Sequence, residues 1–86
     1  MDNDTIDTTI LPRPGFYRHY KGNEYEVIGI ARHSETEEEL VVYRKLYGDH
    51  SLWVRPRSMF LESVTVDGQV KQRFEWLGEI RTKKRL

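Results

Sequence analysis

Residues Leu40–Arg57 read LVVYRKLYGDHSLWVRPR, with apolar side chains alternating with cationic and aromatic ones on both sides of Gly48-Asp49. Period-two alternation places successive side chains on opposite faces of a sheet. A glycine-first pair suits a two-residue type II′ hairpin turn. In that register Tyr47 faces His50, Lys45 faces Leu52, Arg44 faces Trp53, Tyr43 faces Val54 and Val42 faces Arg55. Val41, Tyr43, Leu52 and Val54 then form the core face, and Val42, Arg44, Trp53 and Arg55 the opposite one. A guanidinium over an indole is worth about 0.5–1 kcal/mol at an exposed site. Either Arg44 simply shields a partly buried Trp53, or Trp53 and the arginines make a stacking platform for a base or another planar or anionic ligand.

Working outward, the rest of the chain punctuates into short strands. Phe16–Tyr20 is aromatic-rich and ends at the turn residues Lys21-Gly22-Asn23. Glu24–Arg32 alternates Tyr25, Val27, Gly29 and Ala31 against Glu24, Glu26, Ile28 and Ile30, with a mid-strand glycine that suits a bend or bulge. His33–Glu38 is a polar loop. Pro56 ends the central hairpin because it cannot donate to a ladder, and Pro56–Phe60 reads as a one-turn helical link with Met59 and Phe60 plugging one end of the fold. Asp67-Gly68 joins Phe60–Val66 to Val70–Trp76. In that hairpin Val66 faces Gln69, Glu62 faces Arg73 as a cross-strand ion pair, and Leu61 faces Phe74 in the core. The spacing of Val70, Phe74 and Leu77 also fits a helix face; the Asp-Gly turn favours a strand. The expected fold is mostly β: a small antiparallel, SH3-like barrel of about five or six short strands.

The chain has 86 residues, 14 basic and 14 acidic, and no cysteine. One domain is expected over residues 15–80, with a disordered arm over 1–14 and a frayed basic tail over 81–86. A domain this small buries only about 60% of the surface its unfolded chain exposes. Without cysteine there are no disulfides, thiolate metal sites or thiol nucleophiles, and a reducing cytoplasm is the expected location. No apolar run approaches the roughly 18 residues of a membrane span, and the acidic N-terminal sequence does not read as a signal peptide. With zero net charge, nucleic-acid binding driven by bulk charge is not supported, whereas a local basic patch is compatible with the sequence.

Candidate chemistry is sparse. His19, His33 and His50, with Glu35, Glu37 or Glu38, offer nitrogen and oxygen metal ligands, but their spacing is not diagnostic. His33-Ser34-Glu35 has the His-x-Glu of zinc deaminases without the cysteines those sites require. His33 and Glu35 share a face if extended, which makes a base–carboxylate pair geometrically conceivable; the plainer reading is turn chemistry by Ser34, Thr36 and the glutamates. The serines lack a nucleophile elbow, and no glycine-rich phosphate loop exists.

The ordered series Gly15–Gly22, Tyr25–Ile28, His33–Thr36, Leu40–Tyr43, Leu46–Gly48, Trp53–Pro56 and Met59-Phe60 resembles the bacterial domain-of-unknown-function family 1653 over residues 15–76. Shared positions are His19, Lys21, His33, Glu35, Tyr43, Trp53, Arg55 and Pro56. Where members carry proline before the closing arginine-phenylalanine, this chain has Gln72 before Arg73-Phe74. The resemblance implies a compact β domain of bacterial origin and supplies no activity. The expectation is therefore a non-enzymatic binding module for a nucleotide, single-stranded nucleic acid or peptide, using Arg44, Trp53, Arg55, Arg57, His19 and Lys21, with no cofactor. The alternatives are a small enzyme, metal-dependent or built on His19, His33 and Glu35, and a homodimer formed through a strand edge or the hairpin face.

Overall fold

The computed structural model describes residues 11–80. The expected basic tail and the first ten residues of the expected arm lie outside that range. The elements are β1 (Gly15–His19), β2 (Glu24–Arg32), β3 (Glu39–Lys45), β4 (Leu52–Pro56), a one-turn helix α1 (Arg57–Phe60), β5 (Ser63–Val66), β6 (Gln69–Gln72) and β7 (Phe74–Gly78). A five-stranded antiparallel sheet runs β4-β3-β2-β1-β7, and β5-β6 form a separate ribbon. The fold is mostly β, as the alternation implies. The expectation of an SH3-like barrel goes further than the ladders do, because β4 and β7 are the two edges of the larger sheet. No helix among the described residues is long and apolar enough to cross a membrane.

Local chemistry explains most boundaries. β1 turns into β2 where Gly22 takes φ +114°, with the Gly22 N–H donating to the His19 carbonyl at 2.7 Å and the His19 N–H to the Asn23 carbonyl at 2.8 Å. β2 carries a bulge: Val27 pairs with Tyr43 and Gly29 with Val42, so Ile28 is the extra residue and is exposed. The bulge inverts the in–out phase. Tyr25 and Val27 face the core, but beyond the bulge Ile30, opposite Val41, takes that face and the alternation with Gly29 and Ala31 is broken. At Asp67-Gly68 both residues have positive φ, 51° and 80°, and Val66 pairs with Gln69 as expected.

The central hairpin departs from its expected register by one residue. The Lys45 N–H donates to the Ser51 carbonyl at 3.0 Å, closing a five-residue loop over 46–50 rather than a two-residue one. Two positive-φ residues, Gly48 and His50, shape that loop, and the Asp49 carboxylate accepts the Ser51 N–H at 3.1 Å. The pairs are consequently Arg44–Leu52, Tyr43–Trp53, Val42–Val54, Val41–Arg55 and Leu40–Pro56. A slip of one residue exchanges the two faces of a strand. Trp53 and Arg55 therefore share the core-side face with Tyr43 and Val41, while Leu52 and Val54, both more than half exposed, lie outside with Val42 and Arg44.

The core is small and aromatic: Tyr17, Val27, Val41, Tyr43, Phe60 and Phe74, flanked by Tyr25 and Trp76. α1 delivers Phe60 inward, where it stacks on Phe74 with ring centroids 4.0 Å apart and planes parallel within 1°. Met59, expected to plug the fold beside it, is exposed instead. Phe74 is opposite His19 in the β1–β7 ladder and stacks on Phe60, so the expected Leu61–Phe74 core pair does not form, and Leu61 is exposed. The expected Glu62–Arg73 ion pair is present at 2.9 Å. Residues 11–14, the described part of the expected arm, lie against the domain. Pro12 is buried, the Leu11 carbonyl accepts from Arg57 Nε, and the Arg13 carbonyl accepts the Tyr17 hydroxyl at 2.9 Å.

Gly15 (φ +145°) lies beneath Trp76, and a Cβ there would sit 2.5 Å from the indole ring. We expect Gly15→Ala to destabilise the domain by about 1–3 kcal/mol in urea unfolding, through overpacking and backbone strain. Gly29→Ala, whose Cβ meets nothing within 4 Å, should stay within about 0.5 kcal/mol of the parent. Equal losses at both positions would contradict this packing.

Candidate functional site

The face that holds the core continues outward as a band in which rings and cations alternate. Lys45 Nζ lies 5.6 Å from the ring centroid of Trp53 and 5.0 Å from that of Tyr47. Tyr47 and Tyr25 join hydroxyls at 2.8 Å, and Tyr25 leads edge-on to Phe74 and His19, with centroids at 5.7 and 6.5 Å. His19 packs on Tyr20 at 4.6 Å, and Lys21 Nζ lies 5.8 Å over Tyr20. Across the band the Arg55 guanidinium sits 5.5 Å over Phe74. The strands set this order, since β4 supplies Trp53 and Arg55, β3 Lys45, β2 Tyr25 and β1 His19.

Arg55 is electrostatically unusual. No carboxylate pairs with it among the described residues. Its Nε, like that of Arg73, is buried without a hydrogen-bond partner. A buried donor left unpaired costs about 1–3 kcal/mol. His19 accepts the Lys21 N–H at Nδ1 (3.1 Å), which leaves the proton of the neutral ring on Nε2 as a donor. Desolvation first, then the positive charges of Arg55, Arg73 and Lys21, hold its pKa below the ordinary 6.5. Burial, reinforced by the Tyr47 hydroxyl, pushes the Tyr25 phenol up.

The structure divides the residues expected to form one site. His19, Lys21, Trp53 and Arg55 fall on the band. Arg44 does not: it faces away, donating to the His50 carbonyl at 3.0 Å. The expected Arg44–Trp53 stack is replaced by Lys45 over Trp53, whose indole N–H is fixed by the Ser51 hydroxyl at 2.7 Å. Arg57 is committed to Glu39 at 3.2 Å and to the Leu11 carbonyl, where it ties α1 to the segment before β1. His33 caps its own loop, Nδ1 accepting the N–H groups of Glu35 (3.1 Å) and Thr36 (3.3 Å), so its role is turn chemistry. His50 Nδ1 likewise donates to the Gly48 carbonyl at 3.1 Å. No three His, Asp or Glu side chains converge as metal ligands among the described residues. Lys45, Tyr25, Tyr47 and Phe74 escape sequence reading because the band crosses strands whose register and bulge decide which side chains meet.

A family model described as a protein of unknown function, DUF1653, matches residues 15–76. A crystal structure of a DUF1653 protein from Bordetella bronchiseptica aligns with a TM-score of 0.75 and 37% identity, covering 83% of this chain and 94% of that one. No curated protein matches.

The His19 environment sets a pH expectation. Because the folded pKa is depressed, the unfolded chain binds the proton more readily. The stability tied to neutral His19 is complete above about pH 6.5 and is lost as pH falls through the folded value. In a histidine-resolved NMR titration we expect a midpoint below 6.5 for His19, moving upward in Arg55→Gln. A midpoint at or above 6.5, or no response to removal of Arg55, would contradict the assigned field.

Proposed function

The chain belongs to the DUF1653 family, and from the geometry of the ring-and-cation band we propose that it is a non-enzymatic binding module for a nucleotide or a short single strand of nucleic acid. The observation that carries this reading is Arg55, a guanidinium without an acid partner among the described residues, set over Phe74 on the same face as a half-exposed Trp53. A base stacks on the indole, and phosphate oxygens take the Arg55 terminal nitrogens and compete with the Asp49 carboxylate, 3.4 Å away, for the Lys45 ammonium. Stacking of one base on an aromatic side chain is worth about 1–3 kcal/mol and tolerates any base, because each has a π-face. Phosphate prefers the planar, weakly hydrated guanidinium.

The fold is compatible with that use. The order β4-β3-β2-β1-β7, with a one-turn helix after β4 and the last strand returning to β1, supports reading the domain as an SH3-like barrel with an open seam. The absence of cysteine supports residence in a reducing compartment. Such folds host many functions, so it is the band rather than the architecture that supports this reading.

The test is an amide and indole NMR titration of labelled protein with adenosine monophosphate and with a short single-stranded oligonucleotide at moderate salt. Shifts should concentrate on Lys45, Trp53 (its indole N–H included) and Arg55. Trp53→Ala should weaken binding about 5-fold or more, the lower end of one lost stacking contact, while Arg44→Ala on the opposite face leaves it unchanged. A folded Trp53→Ala protein with parental affinity, or no shifts on the band, would overturn the proposal.

A further inference from the structure

A separate cleft of about 380 Å³ opens between residues 11–13 and the β7–α1 side of the domain. We propose that it is a second binding site, for a planar aromatic monocarboxylate. Trp53, Lys45, Arg55 and His19 do not line it, so it stands whether or not the band binds nucleotides. Its size lies at the lower end of small-molecule pockets, about 300–1,000 Å³, which suits one or two fused rings.

The walls are apolar and preformed. Leu11 and Leu61 make lips that remain more than two-fifths exposed, and the stacked Phe60 and Phe74 lie at the floor. Trp76 forms one wall. Gly15 holds it from behind, and Tyr17 packs edge-on against it at 5.2 Å. An apolar ring entering here meets aromatic surface that need not rearrange, which lowers the ordering cost of binding.

Arg13 supplies the charge. Its guanidinium lies 3.9 Å over the Trp76 ring, its own carbonyl is held by the Tyr17 hydroxyl, and no carboxylate pairs with it among the described residues. Stacking engages the face of the guanidinium and leaves its edge N–H groups to fork the two oxygens of a carboxylate. The other polar side-chain groups lining the cleft, the Gln72 amide, the Tyr17 hydroxyl and the Trp76 indole N–H, are neutral. One cation in an otherwise uncharged cleft matches a monoanion better than a dianionic phosphate.

Indole-3-acetate and its uncharged analogue 3-methylindole test this with the full chain. Indole-3-acetate should give saturable NMR shifts of the Trp76 indole N–H and the Leu61 and Gln72 amides, with the Trp53 indole unmoved. Arg13→Gln should weaken indole-3-acetate about tenfold and leave 3-methylindole unaffected. Leu61→Glu, which puts a carboxylate on the lip, should weaken the acid more than the neutral analogue and keeps the test open should Arg13→Gln unfold. The proposal is overturned by the absence of saturable shifts at Trp76 at millimolar ligand. It is equally overturned if the folded variants affect acid and neutral analogue alike, or if the shifts centre on Trp53.

Discussion

The stack of Phe60 on Phe74 is the contact on which the other parts of this domain depend. Phe60 comes from the single turn after β4, and Phe74 opens β7 at the far edge of the sheet. Their rings meet although no ladder joins those edges, so the curl of the sheet is held by side chains. Arg55 on β4 reaches over Phe74 as well, and Tyr17 and Tyr43 pack against Phe60 from the middle strands. Among the described residues six form the hydrophobic core, four of them rings. A core so thin cannot spread the loss of one member; truncating either phenylalanine removes about 3–5 kcal/mol from a fold of marginal stability.

The same stack separates the two candidate sites. On one side Phe74 carries Arg55 and the edge of His19, where the ring-and-cation band begins. Elsewhere the pair lies at the floor of the cleft bounded by Trp76 and residues 11–13. Both sites are therefore built from the outer margins of one aromatic core, which is how a domain with little interior presents rigid surfaces. Rings have few rotamers to lose, so their exposed faces are pre-organised wherever their other faces are packed.

Element types were legible in the sequence wherever local chemistry was sufficient. Asp67-Gly68 dictates its hairpin and with it the Glu62–Arg73 pair; Pro56 ends β4 and starts the one-turn helix. The central hairpin was not legible, because a Gly-Asp pair is compatible with a two-residue turn and with a five-residue loop. The choice falls on His50, a non-glycine residue at positive φ, and on the Asp49–Ser51 bond, neither of which alternation encodes. Ile28 adds a second offset, turning β2 over halfway along. Four of the six expected site residues survive these shifts: His19 and Lys21 lie at the β1 end, and Trp53 and Arg55 remain on one face because they are two apart on one strand. Arg44 is lost from it because it belongs to the neighbouring strand, where the slip changes the partner.

That register also exchanges what the sheet conceals. In the two-residue register Leu52 and Val54 would cover the core, and Trp53 and Arg55 would face water. In the structure the two aliphatic side chains are outside and a guanidinium is packed over a core ring, its Nε enclosed without an acceptor. By burial alone this is the poorer arrangement, since it exposes apolar surface worth about 25 cal/mol per Å² and leaves a donor unpaired at about 1–3 kcal/mol. That register goes with the loop geometry at 46–50 and with the pairing of Tyr43 with Trp53. What results is a guanidinium 5.5 Å over an aromatic ring, with no carboxylate partner among the described residues. Under the proposed function, it is the terminal nitrogens of Arg55, and not the enclosed Nε, that meet an anionic ligand on this face.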